Sequence, residues 1–210
     1  MGRLKIRIKS AVRKFLRDKM LFIKRRKLKN KDFSIIASNC TGGFVLHDFH
    51  IKFNTPTINL FFYPDDFLRY VQNLPYYSQC ELTFVQKPGV SYPVGLLEDV
   101  EIYFMHYKTE AEARQKWEER TQRINYNNLF IIMTDLRCTP EHIRQFDALP
   151  YKNKVLFTNK CDLGIPSAFY IKGFDKDKDV GQIFDYKTEN SLAKYYDDFD
   201  FAAWFNGETF

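Results

Sequence analysis

Phe33-Ser34-Ile35-Ile36-Ala37-Ser38-Asn39-Cys40-Thr41-Gly42-Gly43 reads as a short buried strand that ends in a tight turn. Paired isoleucines favour extended backbone, and Ser-Asn followed by Gly-Gly stops it. Working outward, residues 44–53 carry a helix-like pattern and 57–63 form a second apolar strand. Pro64 opens a helix with Asp65 or Asp66 at its start and Phe67, Leu68, Val71 and Leu74 facing inward. Residues 82–85, 92–97 and 100–107 are strand candidates. Thr109 caps a charged helix to about residue 125, with Glu110 and Glu112 in the first turn, where the helix dipole favours acids. Residues 129–134 are a fully apolar strand, and Thr139-Pro140-Glu141 starts a helix that points Ile143, Phe146 and Leu149 at the core. Strands at 154–158 and 168–172 and an aromatic-rich helix at 191–205 complete the chain. Strands alternating with helices imply an α/β protein, with a three-layer, mainly parallel, Rossmann-like sheet covered by helices on both faces.

The charge is split. Residues 1–31 hold 14 Lys/Arg against one acid, Asp18, which makes this segment +13. The chain as a whole is +6, so residues 32–210 are −7. We therefore expect a basic arm at 1–31 and one α/β domain at 32–210. An acidic globule gives no basis for nucleic-acid binding. In the arm, Leu4, Ile8, Ala11, Val12, Phe15, Leu16, Phe22 and Ile23 recur at helical spacing between cations. Such a helix suits an anionic membrane surface, with the apolar stripe among acyl chains and Lys/Arg at the headgroups. The alternatives are docking on the protein's own acidic domain, a disordered tail, or RNA binding.

No apolar run reaches the ~18 residues of a bilayer span. Met20-Leu21-Phe22-Ile23 is too short for a secretory core. The expected location is thus cytoplasmic, peripheral on the inner face of the cell membrane. Cys40, Cys80, Cys138 and Cys161 form no Cys-x-x-Cys pair, and His47, His50, His106 and His142 show no metal spacing, so no metal site is expected. Asp175, Asp177 and Asp179 begin like a calcium loop, but Val180 stands where glycine is required and Tyr186 where glutamate is required.

In an open α/β sheet, ligands sit beyond the carboxyl ends of the strands. Ser38 through Gly43 falls there, as do Asp65-Asp66, His106 and Thr134-Asp135, and Thr158-Asn159-Lys160 closes the next strand. Gly42 and Gly43 allow close approach of a ligand, and amides at a helix start attract anions. The same amides lower a thiol pKa, so Cys40 is a candidate nucleophile, with Asn39 as an oxyanion donor. His106 is the candidate base, ahead of His47 and His50. Lys116, Arg120 and Arg123 share a helical face that can hold a diphosphate. Ser38, Gly42, Gly43, Asp65 and Asp135 complete the candidate substrate or phosphate-binding set. The plainer readings are a tight turn with a half-buried thiol, and a solvated charged helix face.

Six ordered motifs carry a resemblance: Ser38 to Gly43; Thr55-Pro56-Thr57-Ile58-Asn59-Leu60; Tyr92-Pro93-Val94-Gly95; His106-Tyr107; the Lys116-Trp117 helix at 113–125; and 152–158. Together they resemble a bacterial family of exopolysaccharide and capsular-polysaccharide loci, a domain of unknown function, over about residues 33–175. Members of that family often carry a second Asn and a Trp around the cysteine, and here Thr41 stands in place of the Trp. The resemblance implies a transferase of surface-polysaccharide biosynthesis that acts on a glycan or lipid-linked sugar at the cytoplasmic membrane face. Acyl (acetyl) transfer from an acyl-CoA through Cys40 is the first expectation. Glycosyl transfer from a nucleotide-sugar, with Asp65, Asp66 or Asp135 as base or metal ligand, is the second. A non-catalytic partner of a polysaccharide assembly complex is the third.

Overall fold

The computed structural model describes the backbone from Gly2 to Phe210 and side chains from Ile8 onward. Met1 and the side chains of residues 2–7, which include Leu4 of the apolar stripe and Arg3, Lys5 and Arg7, lie outside the described residues.

Helix α1 (Gly2–Lys27) precedes β1 (Ser34–Ala37), α2 (Thr41–Asp48), α3 (Pro64–Gln72) and α4 (Leu74–Tyr77). Strands β2 (Thr83–Val85), β3 (Val94–Leu97) and β4 (Val100–Tyr103) come next, then α5 (Glu110–Thr121), β5 (Leu129–Thr134), α6 (Pro140–Asp147), β6 (Asn153–Thr158) and β7 (Ala168–Tyr170). A 3₁₀ turn (Tyr195–Asp198) leads into α7 (Phe201–Phe205). The caps explain several starts. Thr109 accepts from the Glu112 amide to begin α5, Thr139 and His142 form a capping box on α6, and Asp200 accepts from Ala202 and Ala203 to begin α7.

The apolar strands pair as a parallel sheet in the order β1-β5-β6-β7, with Ile36 opposite Ile131 and Ile132 opposite Val155. On the free side of β1, residues 54–62 run in the same direction. Ser34 Oγ donates to the Asn54 carbonyl, the Ala37 amide to Thr57 Oγ1, and the Phe62 amide to the Ser38 carbonyl. An antiparallel bridge from Phe61 to Tyr103 then joins β4, which pairs antiparallel with β3, and β3 with β2. The expected strand at 57–63 is therefore an irregular seam between a parallel sheet and an antiparallel hairpin sheet.

Alternation along the strands splits the core. Ile36, Ile131, Met133 and Leu156 face α3, α5 and α6 together with the hairpin sheet. Ile35, Ala37, Phe130, Ile132, Val155 and Phe157 face α2 and α7. Three layers result, as a parallel sheet with two apolar faces demands. The glycine pair is part of this packing. A Cβ on Gly42 would stand 2.7 Å from the Ala37 Cβ, so α2 lies flush on β1 only without one.

α1 forms a further layer beyond α2 and α7. No helix among the described residues is long and apolar enough to cross a membrane.

Candidate functional site

The helix after β1 covers one face of the sheet and the helix after β5 covers the other, so the two connections diverge at the carboxyl edge. This is the place where an open α/β sheet forms its crevice. Ser38, Asn39, Thr134 and Asp135 do meet there. Asn39 Nδ2 donates to Thr134 Oγ1 at 2.9 Å, its Oδ1 accepts from the Thr41 amide at 3.0 Å, and the Thr134 amide points at Ser38 Oγ. The Asp135 carboxylate, fully buried, accepts from Thr158 Oγ1 at 2.6 Å and from the Val180 amide at 2.7 Å. These groups hold one another and the loops together. Asn39 spends its Oδ1 and one of its two amide hydrogens on these neighbours, and the buried Asp135 has no face open to a substrate.

Cys40 corrects the nucleophile expectation. Its side chain is buried, with Sγ 3.8 Å from the Leu60 carbonyl, and burial pushes the thiol pKa up to about 11. Desolvation outweighs the helix-start amides here. His106 is not its base. Because β4 runs antiparallel to the 54–62 seam, residues 104–107 leave toward the opposite edge, where Tyr107 donates to the Ile58 carbonyl and His106 is exposed. The base expectation assumed a parallel strand there. Gly42 and Gly43 are buried against Ala37, Ile35 and Ile58, so the pair serves helix packing and presents no cradle.

The cationic face of α5 also has other partners. Glu119 pairs with both Lys116 and Arg123, Arg123 donates to the Phe53 carbonyl, and Arg120 donates to the Tyr107 hydroxyl at 2.7 Å. That face stands toward the amino edge, since Asn125, just past the helix, donates to Ser34 Oγ at the start of β1. Phosphate binding there would break these pairs. Of the candidate residues, Asp65 alone offers an exposed carboxylate at the carboxyl edge. Its Oδ1 lies 2.9 Å from His142 Nε2. His142 Nδ1 accepts from the Thr139 amide, so the neutral ring carries its proton on Nε2 and donates it to Asp65. Arg137 stacks on Tyr63, two residues before Asp65 in the chain, and donates to its hydroxyl. Among the described residues no group of three or more His, Cys, Asp or Glu is placed to hold a metal ion.

A second assembly lies where α1 meets the globule. The Arg17 guanidinium is buried, with Nη2 2.5 Å from Asp48 Oδ2 and Nη1 2.7 Å from Asp197 Oδ2. Tyr196 donates to the same Asp48 oxygen, and the buried Lys194 donates to the Tyr196 hydroxyl. Burial opposes the charge on Arg17, but the two carboxylates outweigh it and raise its pKa. Burial likewise works against the Asp197 carboxylate, and the Arg17 bond overcomes it, holding that pKa below the usual value. Asp48 ends α2, where the dipole disfavours an acid, so the helix needs this cation. Arg25 adds a bond to the Asp48 carbonyl. The partners lie 31 and 180 positions apart, and no local pattern marks them.

Fold and site together define a three-layer α/β protein with a basic helix clamped on an acidic face. The chain belongs to the family described as "Domain of unknown function (DUF1919)", which matches residues 11–206 and so takes in much of α1. It is also similar to a Haemophilus influenzae (strain ATCC 51907 / DSM 11121 / KW20 / Rd) protein named "Uncharacterized protein". The two are 52% identical over 204 residues, which cover 95% of this chain and 97% of that one.

Proposed function

We propose that this protein docks through α1 on an anionic membrane surface, at the cytoplasmic face of the cell membrane. There it acts as a transferase in cell-surface polysaccharide biosynthesis, on a glycan or its lipid-linked precursor. One observation carries the docking. α1 binds the globule by its cationic side, through Arg13, Arg17, Lys24 and Leu21, and leaves its apolar side outward. At 3.6 residues per turn the two sets fall on opposite faces. Ile8, Val12, Phe15, Leu16, Phe22 and Ile23 are 43–64% exposed. Six large apolar side chains on one exposed helix face are expensive in water and mark an interaction surface. Lys19 over Phe15 and Arg26 over Phe22 add cations to that face, suited to anionic headgroups at about 1 kcal/mol each.

The polysaccharide reading rests on the six ordered motifs. The buried Cys40 thiol argues against an acyl-enzyme route. Direct transfer from a nucleotide-sugar fits better: the acceptor hydroxyl gives its proton to the exposed Asp65 carboxylate at the carboxyl edge, its oxygen bonds the sugar's anomeric carbon, and the nucleoside diphosphate leaves. Two experiments test the reading. The intact protein should sediment with phosphatidylglycerol vesicles and far less with phosphatidylcholine vesicles, and F15E/F22E should abolish this. A gene deletion should reduce or alter surface polysaccharide, with rescue by the wild type and not by D65N. Equal sedimentation of F15E/F22E removes the docking. Unaltered polysaccharide removes the pathway assignment.

A further inference from the structure

Between α1, α2 and the 186–194 segment lies a groove of about 440 Å³. Its lining holds five cations, Arg13, Lys14, Arg17, Arg25 and Lys194, against two carboxylates, Asp18 and Asp48. The volume falls in the range of small-molecule sites. Asp18 is bonded to Arg25, and Asp48 is bonded to Arg17 and Tyr196 with Lys194 only 3.9 Å off, so the two carboxylates leave the groove with an excess of cations.

Two donors in this lining are incompletely satisfied. Lys194 is buried, yet its Nζ has one hydrogen bond, at 3.2 Å to the Tyr196 hydroxyl, and its nearest carboxylate oxygen is 3.9 Å away. The rings of Phe44, Tyr196 and Tyr186 surround it at 4.7, 5.2 and 5.9 Å. Ring faces stabilise an ammonium but accept no full hydrogen bond. The Arg17 Nε is buried and has no acceptor. A buried ammonium normally has a full set of acceptors, because desolvation of an unpaired charge costs several kcal/mol. Arg13 stacks its guanidinium over Tyr186 at the rim and spends one of its donors on the Glu189 carbonyl, and Lys14 has no ion-pair partner among the described residues.

We propose that this groove is a binding site for a phosphate group, which completes the hydrogen bonds of Lys194 and meets Arg13 and Lys14 at the rim. Phosphate matches what is missing, a compact multiply charged acceptor in a setting of cations and aromatic rings. The phosphate can belong to a phospholipid or lipid-linked sugar, or to a soluble sugar phosphate or nucleotide. The inference stands without the membrane reading, because α1 presents the groove and the outward apolar face on different sides.

The test is calorimetric titration of the intact protein in two arms, with sodium pyrophosphate and with dihexanoyl-phosphatidylglycerol below its micelle concentration. Saturable binding is expected in at least one arm. Binding of the lipid alone assigns the site to a lipid headgroup, and binding of pyrophosphate assigns it to a free phosphate. K14M and R13M should each weaken the bound ligand several-fold, and K194M roughly tenfold or more, as expected for one charge-assisted hydrogen bond. K172M, an exposed cation elsewhere, should change nothing. K14M and R13M replace partly solvated side chains and keep the test decisive even where K194M fails to fold. No saturable binding in either arm, or binding indifferent to K14M and R13M, overturns the proposal. F15E/F22E separates the two readings, since it should lose vesicles and keep the groove ligand.

Discussion

Replacing Arg17 by Met tests how α1 is held. The change keeps an aliphatic stem and removes one cation that serves two carboxylates whose side chains are 8% and 9% exposed. Removing one partner of a buried ion pair costs about 3–5 kcal/mol, mainly because the other charge stays buried. Lys24 at 3.4 Å from Asp197 and Lys194 at 3.9 Å from Asp48 remain and soften the loss, so about 3 kcal/mol is expected. Urea unfolding followed by circular dichroism measures it. Adding D48N and D197N to R17M should recover at least ~1 kcal/mol, because the stranded charges are then gone. The pH dependence follows from Asp197. Its folded-state pKa lies below the usual value, so it contributes stability above the unfolded carboxylate pKa near ~4. That contribution is lost as pH falls through the folded value. Wild type should therefore lose stability below about pH 4 more steeply than R17M. A loss under ~1 kcal/mol in R17M, with unchanged acid sensitivity, would refute the view that this network clamps the helix.

Other expectations follow from single contacts. G42A should destabilise by about 1–2 kcal/mol in chemical denaturation, since a Cβ 2.7 Å from the Ala37 Cβ overpacks the α2–β1 contact by more than alanine's helix propensity returns. With a thiol reagent at pH 7.5, the exposed Cys161 should react in the native state, whereas the buried Cys40 and the half-buried Cys138, with pKa values pushed up to about 11 and 12, should react far more slowly until the chain unfolds. Fast native labelling of Cys40 would restore the nucleophile reading. H142A should cost about 1 kcal/mol in thermal unfolding, through loss of the α6 capping box and the Asp65 bond.

The apolar runs at β1, β5 and β6 and the caps at Thr109 and Thr139 were legible because burial on two faces and helix starts leave local signatures. The 100–107 run showed its apolarity but not its direction, since periodicity does not say which strand lies alongside, and His106 was misplaced with it. The expected helix at 191–205 breaks because Asp200 caps a new helix in mid-run. At the candidate site, the strand-end positions of Ser38, Asn39, Thr134 and Asp135 were legible, but not that Asn39, Ser38 and Asp135 bond to neighbouring loops, nor that His106 leaves by the other edge. The arm's amphipathicity was plain. That its cationic side would turn inward depended on Asp48 and Asp197, which no local spacing connects to Arg17.

On the proposed function, α1 meets the membrane with its apolar side while its cationic side stays on the globule. A fluorophore on a single introduced cysteine, at position 15, 22 or 24 in a C161S background, tests it by quenching from brominated acyl chains in phosphatidylglycerol vesicles. Positions 15 and 22 should be strongly quenched, and position 24, on the docked side, should not. Equal quenching at all three, or none at 15 and 22, would contradict it.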